Sequence, residues 1–116
     1  MLAACGRAAK ATGLPGTYQA LDKNSIELIT LGLDLSFQHV LKDAKSGSVI
    51  YAEAGTYKVS GGLVIFNKFM EFYSPMTKTI NLKGDSFISY KMHILYLDGI
   101  PQIKPGADQE YFFKRL

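Results

Sequence analysis

The chain has 116 residues, 47% of them apolar and 20% charged, which holds one domain with a real core, excludes two, and rules out wholesale disorder. A single cysteine excludes an internal disulfide and any Cys-rich zinc site. The net charge of +3 is spread so evenly that Lys114-Arg115 is the longest basic run, so the basic stripe expected of a nucleic-acid binder is missing.

In chain order, the first feature is Leu2-Ala3-Ala4-Cys5, followed from Gly6 to Gly13 by small and polar residues with no strand period. That composition suits a flexible tether. From Gly16 onward, apolar and polar residues alternate, with turn formers every 8 to 12 residues or so, about the spacing of short strands. "GTYQAL" is the first predicted strand. "SIELITL" is the second, with Ile26 and Leu28 on one face and Glu27 on the other. "LSFQHVL" then places Leu35, Phe37, His39 and Leu41 on a shared, inward face.

"KDAKSGS" reads as a loop, followed by "VIYAEA" and "GTYKVS". Gly61-Gly62 permits positive φ and predicts a tight hairpin. "LVIFNKFMEFY" is the most apolar segment, ended by Pro75, because proline cannot donate to a ladder. "TKTINL", a "KGD" turn and "SFISYKMHILYL" predict a hairpin with Ile88, Tyr90, Met92, Ile94 and Tyr96 on one face. A loop holding Pro101 and Pro105 leads to the closing strand "YFFKRL". No segment keeps a helical period over three turns, although "NKFMEFY" and "PGADQEY" leave room for a short helix.

Gly-Thr-Tyr occurs at Gly16–Tyr18 and again at Gly55–Tyr57, and "DLSF" at Asp34 is echoed by "DSF" at Asp85. About eight antiparallel strands in up-and-down order hide their edges most simply by closing into a small meander β-barrel. A β-sandwich is the alternative, since period two alone does not separate them. The expected organisation is a tether over 1–14 and one all-β domain over 15–116.

The "GTY" strand openings, the "D-x-S-F" step and the final "YFF" strand resemble the small lipocalin-like barrels of bacterial envelope lipoproteins. "LAAC" likewise resembles the lipobox of those lipoproteins: a branched apolar residue, two small residues and a cysteine. The resemblance implies a lipid anchor at Cys5. Gly6 after the cysteine implies sorting to the outer membrane, facing the periplasm. A lipobox closes a signal peptide with an apolar stretch of about 7–15 residues, whereas four residues precede Cys5 here. The other reading of "LAAC" is an Ala-rich disordered leader with an inert thiol. The CxxC pair of copper-responsive envelope barrels is absent, so metal sensing of that kind is not implied.

His39 is the residue closest to chemistry. On an inward face it would orient a ligand, act as a base, or sit satisfied within the core. Phe66, Phe69, Phe72 and Tyr73 crowd one apolar segment, too many to face inward from one strand. Part of the group is therefore expected at a barrel rim or on the surface, where exposed aromatics mark contact sites. With Tyr90 and Met92 they form the expected ligand or partner site. Glu27, Glu53 and Glu71 are expected on the wet face opposite lysines such as Lys58 and Lys68. His93 should face solvent beside Lys91. Met92 and His93 are strand neighbours pointing to opposite faces, which excludes a shared copper site. Met70 and Met76 read as gap-fillers. No nucleophile elbow or phosphate-binding loop is present.

The expected function is a non-enzymatic envelope lipoprotein, without cofactor or metal, whose barrel binds a small apolar ligand or another envelope protein. The alternatives are a soluble secreted or periplasmic protein-binding or inhibitor domain, and an enzyme using His39.

Overall fold

Gly61 and Gly62 have φ of 57° and 77°, the left-handed pair that a two-residue hairpin needs to match strand twist. They join β4 (Val49–Ser60) to β5 (Leu63–Phe66) in a computed structural model that describes residues 13–106 and 111–116. The preceding strands are β1 (Gly16–Leu21), β2 (Ser25–Leu31) and β3 (Ser36–Asp43). After β5 come β6 (Phe69–Ser74), β7 (Thr79–Phe87), β8 (Tyr90–Leu97), β9 (Ile100–Lys104) and β10 (Lys114–Arg115).

Eight strands form one antiparallel sheet in the order β10-β1-β2-β3-β4-β5-β8-β9. Its ends meet where Ile103 and Phe113 exchange backbone hydrogen bonds of 3.1 and 2.8 Å. Beside that bridge, Arg115 N donates to Gln102 Oε1 at 2.9 Å. The all-β class and the nearly closed barrel are those expected from the alternation.

The path between β5 and β8 differs from the expected meander. β7 pairs with β6 rather than β8, and the two stand as a separate hairpin. "KGD" lies within β7, where Gly84 at φ 65° accompanies a register shift instead of a chain reversal. The chain turns after Phe87, which leaves Ile88 92% exposed rather than on the inward face of β8. The segment "LVIFNKFMEFY" is broken at Asn67-Lys68, and "NKFMEFY" contributes a strand, not a helix. Pro101 sits inside β9 opposite Tyr96, tolerated because β9 ends the strand order.

The repeated glycine at Gly55 has a packing reason. Here β4 passes from pairing with β3 to pairing with β5. A Cβ at Gly55 would lie 2.5 Å from Asn67 Oδ1 and 2.8 Å from Phe37 Cε1. Both tyrosines of the repeat, Tyr18 and Tyr57, point into the core with Ile29, Leu31, Phe37 and Val64.

Leu14 also belongs to that core at 1% exposure, which moves the start of the folded domain ahead of the expected boundary. Its carbonyl accepts from Tyr18 Oη, and Gly13 O accepts from Arg115 Nη1 at 2.8 Å. Cys5 and the rest of "LAAC" lie outside the described residues. Among the described residues no helix is long and apolar enough to cross a membrane.

Candidate functional site

Register brings three titratable side chains together inside the barrel. His39 on β3 is paired with Glu53 on β4 and with Ile29 on β2, one inward step from Glu27. Side chains two apart on a strand share a face, so all three converge. His39 Nε2 lies 2.5 Å from Glu27 Oε2, and Nδ1 lies 2.8 Å from Glu53 Oε2. The His39, Glu27 and Glu53 side chains are 0%, 2% and 8% exposed.

Each carboxylate has a second donor. Tyr111 Oη donates to Glu27 Oε1 at 2.8 Å, and the Met70 amide donates to Glu53 Oε2 at 2.7 Å. Phe69 stacks on the imidazole, with centroids 4.2 Å apart and planes at 11°. Phe72 and Tyr51 approach the ring at 5.9 and 6.2 Å.

Proton bookkeeping follows from this geometry. A neutral imidazole offers one N–H, while an ionised carboxylate only accepts. With a carboxylate at each ring nitrogen, the three groups must share two protons, most simply as an imidazolium between two carboxylates. Burial alone would lower the His39 pKa, but hydrogen bonds and charge from Glu27 and Glu53 outweigh it and raise it above the ordinary value. Burial likewise tends to raise Glu53, yet the His39 hydrogen bond and the Met70 amide hold its carboxyl below the usual range. Burial first, and then the nearby Glu27 carboxylate, push the Tyr111 phenol far up, so it serves as a fixed donor.

This corrects the wet-face expectation for the glutamates. Glu27 and Glu53 point inward because His39, Tyr111 and Met70 N satisfy them there. Glu71 is half-buried and accepts from Tyr90 Oη. On β2 the inward set is Glu27, Ile29 and Leu31, while Ile26 and Leu28 lie on the outer face. Leu35 is corrected too. It occupies the β2–β3 turn at φ 67° and is exposed. Asp34 Oδ1 accepts from Ser36 N at 3.0 Å and so fixes the turn before β3 begins.

The expected aromatic site is buried rather than at a rim. Phe66, Phe69, Phe72, Tyr90 and Met92 are all core residues, and Tyr73 is half-buried. The break at Asn67-Lys68 lets β5 supply Phe66 while β6 supplies Phe69 and Phe72. A register shift between Glu71 and Tyr73 accompanies the burial of both Phe69 and Phe72, three residues apart on β6. Phe66 and Tyr90 flank Phe69 at 5.1 and 4.6 Å, and Tyr73 stacks on Tyr111 at 4.4 Å. The space left between Glu27, Phe69, Phe72, Tyr90 and Tyr111 is about 10 Å³, roughly room for one water.

A larger concavity lies outside. A cleft of about 530 Å³ runs between the β1–β10 side and the β6–β7 turn, lined by Gln19, Asp22, Tyr73, Lys78 and Lys114. His93 and Lys91 face solvent as expected. The triad is no metal-binding set, because its carboxylates approach opposite nitrogens of one ring and do not converge on a point.

Exposed apolar side chains occur on and beside the β6–β7 hairpin, at Met76, Leu82 and Ile88, and also at one end of the barrel. In the antiparallel order, the β2–β3, β4–β5 and β8–β9 turns lie at the same end. Leu33, Leu35, Val59, Tyr96, Leu97 and Ile100 are all exposed there. No family model, curated protein or solved structure matches the chain.

Proposed function

We propose that the protein is a non-enzymatic, lipid-anchored barrel of the bacterial envelope that recognises another envelope protein on its outer surface. Acylation at Cys5 would anchor it. The stretch after Gly6 would act as spacer, with the domain on the periplasmic side of the outer membrane.

The close packing of the interior among the described residues is the observation that carries the choice of ligand class. About 10 Å³ remains among the side chains that an interior ligand would touch, far below the several hundred cubic ångströms of a small-molecule site. The apolar end formed by Leu33, Leu35, Val59, Tyr96, Leu97 and Ile100 supports a protein partner, since grouped exposed apolar residues mark contact surfaces. The closed triad supports the non-enzymatic reading, because His39 offers no face to a substrate.

The test is expression with the native upstream sequence in a bacterial host, with a photo-crosslinking residue in place of Tyr96 or, as control, of the exposed Lys83. We expect mature, diacylglyceryl-modified protein in the membrane fraction, and an adduct with one envelope protein from position 96 alone. An unmodified chain in the soluble fraction overturns the anchor. Equal adducts from both positions overturn the recognition surface.

A further inference from the structure

We propose that the β6–β7 hairpin is a proton-locked latch, held against the barrel while His39 is an imidazolium between Glu27 and Glu53 and released when that proton leaves. The hairpin shares no strand ladder with the eight-stranded sheet among the described residues. Its polar attachments are the Met70 amide on Glu53 Oε2 and Glu71 on Tyr90 Oη. Its apolar attachments include Phe69 and Phe72, packed on and beside the His39 ring, with Tyr73 on Tyr111 and Phe87 beside Tyr90. The chain enters and leaves it through Asn67-Lys68 and Ile88-Ser89, all exposed, which suits them as hinges.

Glu53 Oε2 is the junction, since one oxygen accepts from both His39 Nδ1 and Met70 N. The groups facing His39 are Glu27 from β2 and Glu53 and Tyr51 from β4, with Tyr111 behind Glu27; β6 presents Phe69, Phe72 and an amide. Loss of the proton leaves a ring lone pair facing a buried carboxylate, which is costly in a low dielectric. Glu27 is the more buried of the two and is pinned by Tyr111. Glu53 is therefore the group that moves outward toward water, withdrawing Met70's acceptor and parting Phe69 from the ring.

The sign is fixed by linkage. In the latched state the His39 pKa is raised. Latching is thus strongest below the free-histidine value of about 6.5 and weakens as pH rises from there to the raised value. Protonation of Glu53 weakens it again in acid, below the ordinary carboxylate range.

The test is amide hydrogen exchange on the full chain from about pH 5 to about pH 9, corrected for intrinsic rates. One linked proton gives up to about a tenfold loss of hairpin protection per pH unit above about 6.5. Amides of β1 to β3, which open only with the whole barrel, should stay better protected than the hairpin at every pH. In Glu53→Gln, an amide oxygen in the place of Oε2 accepts from both His39 Nδ1 and Met70 N but carries no charge to be driven outward when His39 loses its proton, so the hairpin should show no pH step. A flat wild-type profile overturns the latch. So does hairpin protection equal to that of β1 to β3 at every pH, or an unchanged step in Glu53→Gln. If that variant does not fold, the wild-type midpoints decide. Hairpin opening that coincides with His39 titration supports the latch, and separation by more than about one pH unit overturns it.

Discussion

His39 is where the barrel commits to one arrangement. A buried histidine between two carboxylates orders β2, β3 and β4 in a way that apolar packing does not, because each ring nitrogen faces its own carboxylate. Replacing it by phenylalanine leaves two carboxylates buried and uncompensated. His39→Phe should therefore lose about 3–5 kcal/mol in urea unfolding; a loss under about 1 kcal/mol would mean that the ion pairs do little for stability. The inward placement of His39 was legible in "LSFQHVL", where it alternates with Phe37 and Leu41. Its partners were not. "SIELITL" is apolar on both faces, so alternation did not decide which face is inward, and the placing of Glu27 on the wet face followed only its charge. Leu35 was misplaced for a local reason, since the Asp34–Ser36 hydrogen bonds favour a turn over extension of the strand.

At the scale of elements, turn chemistry decided what could be read. The Gly61-Gly62 hairpin was legible because both residues need positive φ. Gly62→Ala should cost about 1–2 kcal/mol from the left-handed backbone alone, with the strand register retained in the amide spectrum. "KGD" misled because the same residues that make a turn also make a bulge, and β7's partner was set by the long-range packing of Phe69 and Phe72. The aromatic segment carried the right residues with the wrong geometry. One strand could not bury Phe66, Phe69 and Phe72 together, but two strands split at Asn67-Lys68 bury all three. Their proximity is a property of the hairpin's path, which period two does not encode.

For the whole molecule, closure rests on little backbone, since the Ile103–Phe113 bridge and a two-residue β10 join the ends of the sheet. The interior compensates through a continuous set of aromatic contacts and the charged triad at its centre. Fold class was legible from alternation and turn spacing, because those reflect the barrel's inside and outside directly. A filled interior was not, since side-chain volume inside a closed sheet depends on which strands share it.

The triad makes stability depend on pH in a defined direction. His39 has a raised folded-state pKa, so its contribution is complete below the unfolded value of about 6.5 and is lost as pH rises from there through the folded value. Glu53 has a lowered one, so its contribution is present above the unfolded value of about 4.3 and is lost as pH falls through the folded value. The measurement that tests this most directly is the unfolding free energy of the full chain against pH, by urea denaturation from about pH 3 to about pH 9, short of tyrosine titration near pH 10. A barrel organised around a buried imidazolium predicts a maximum between about pH 4.5 and about pH 6.5, with a fall of up to about 1.4 kcal/mol per pH unit above it. Stability that stays level or rises from about pH 6.5 to about pH 9 would contradict that account.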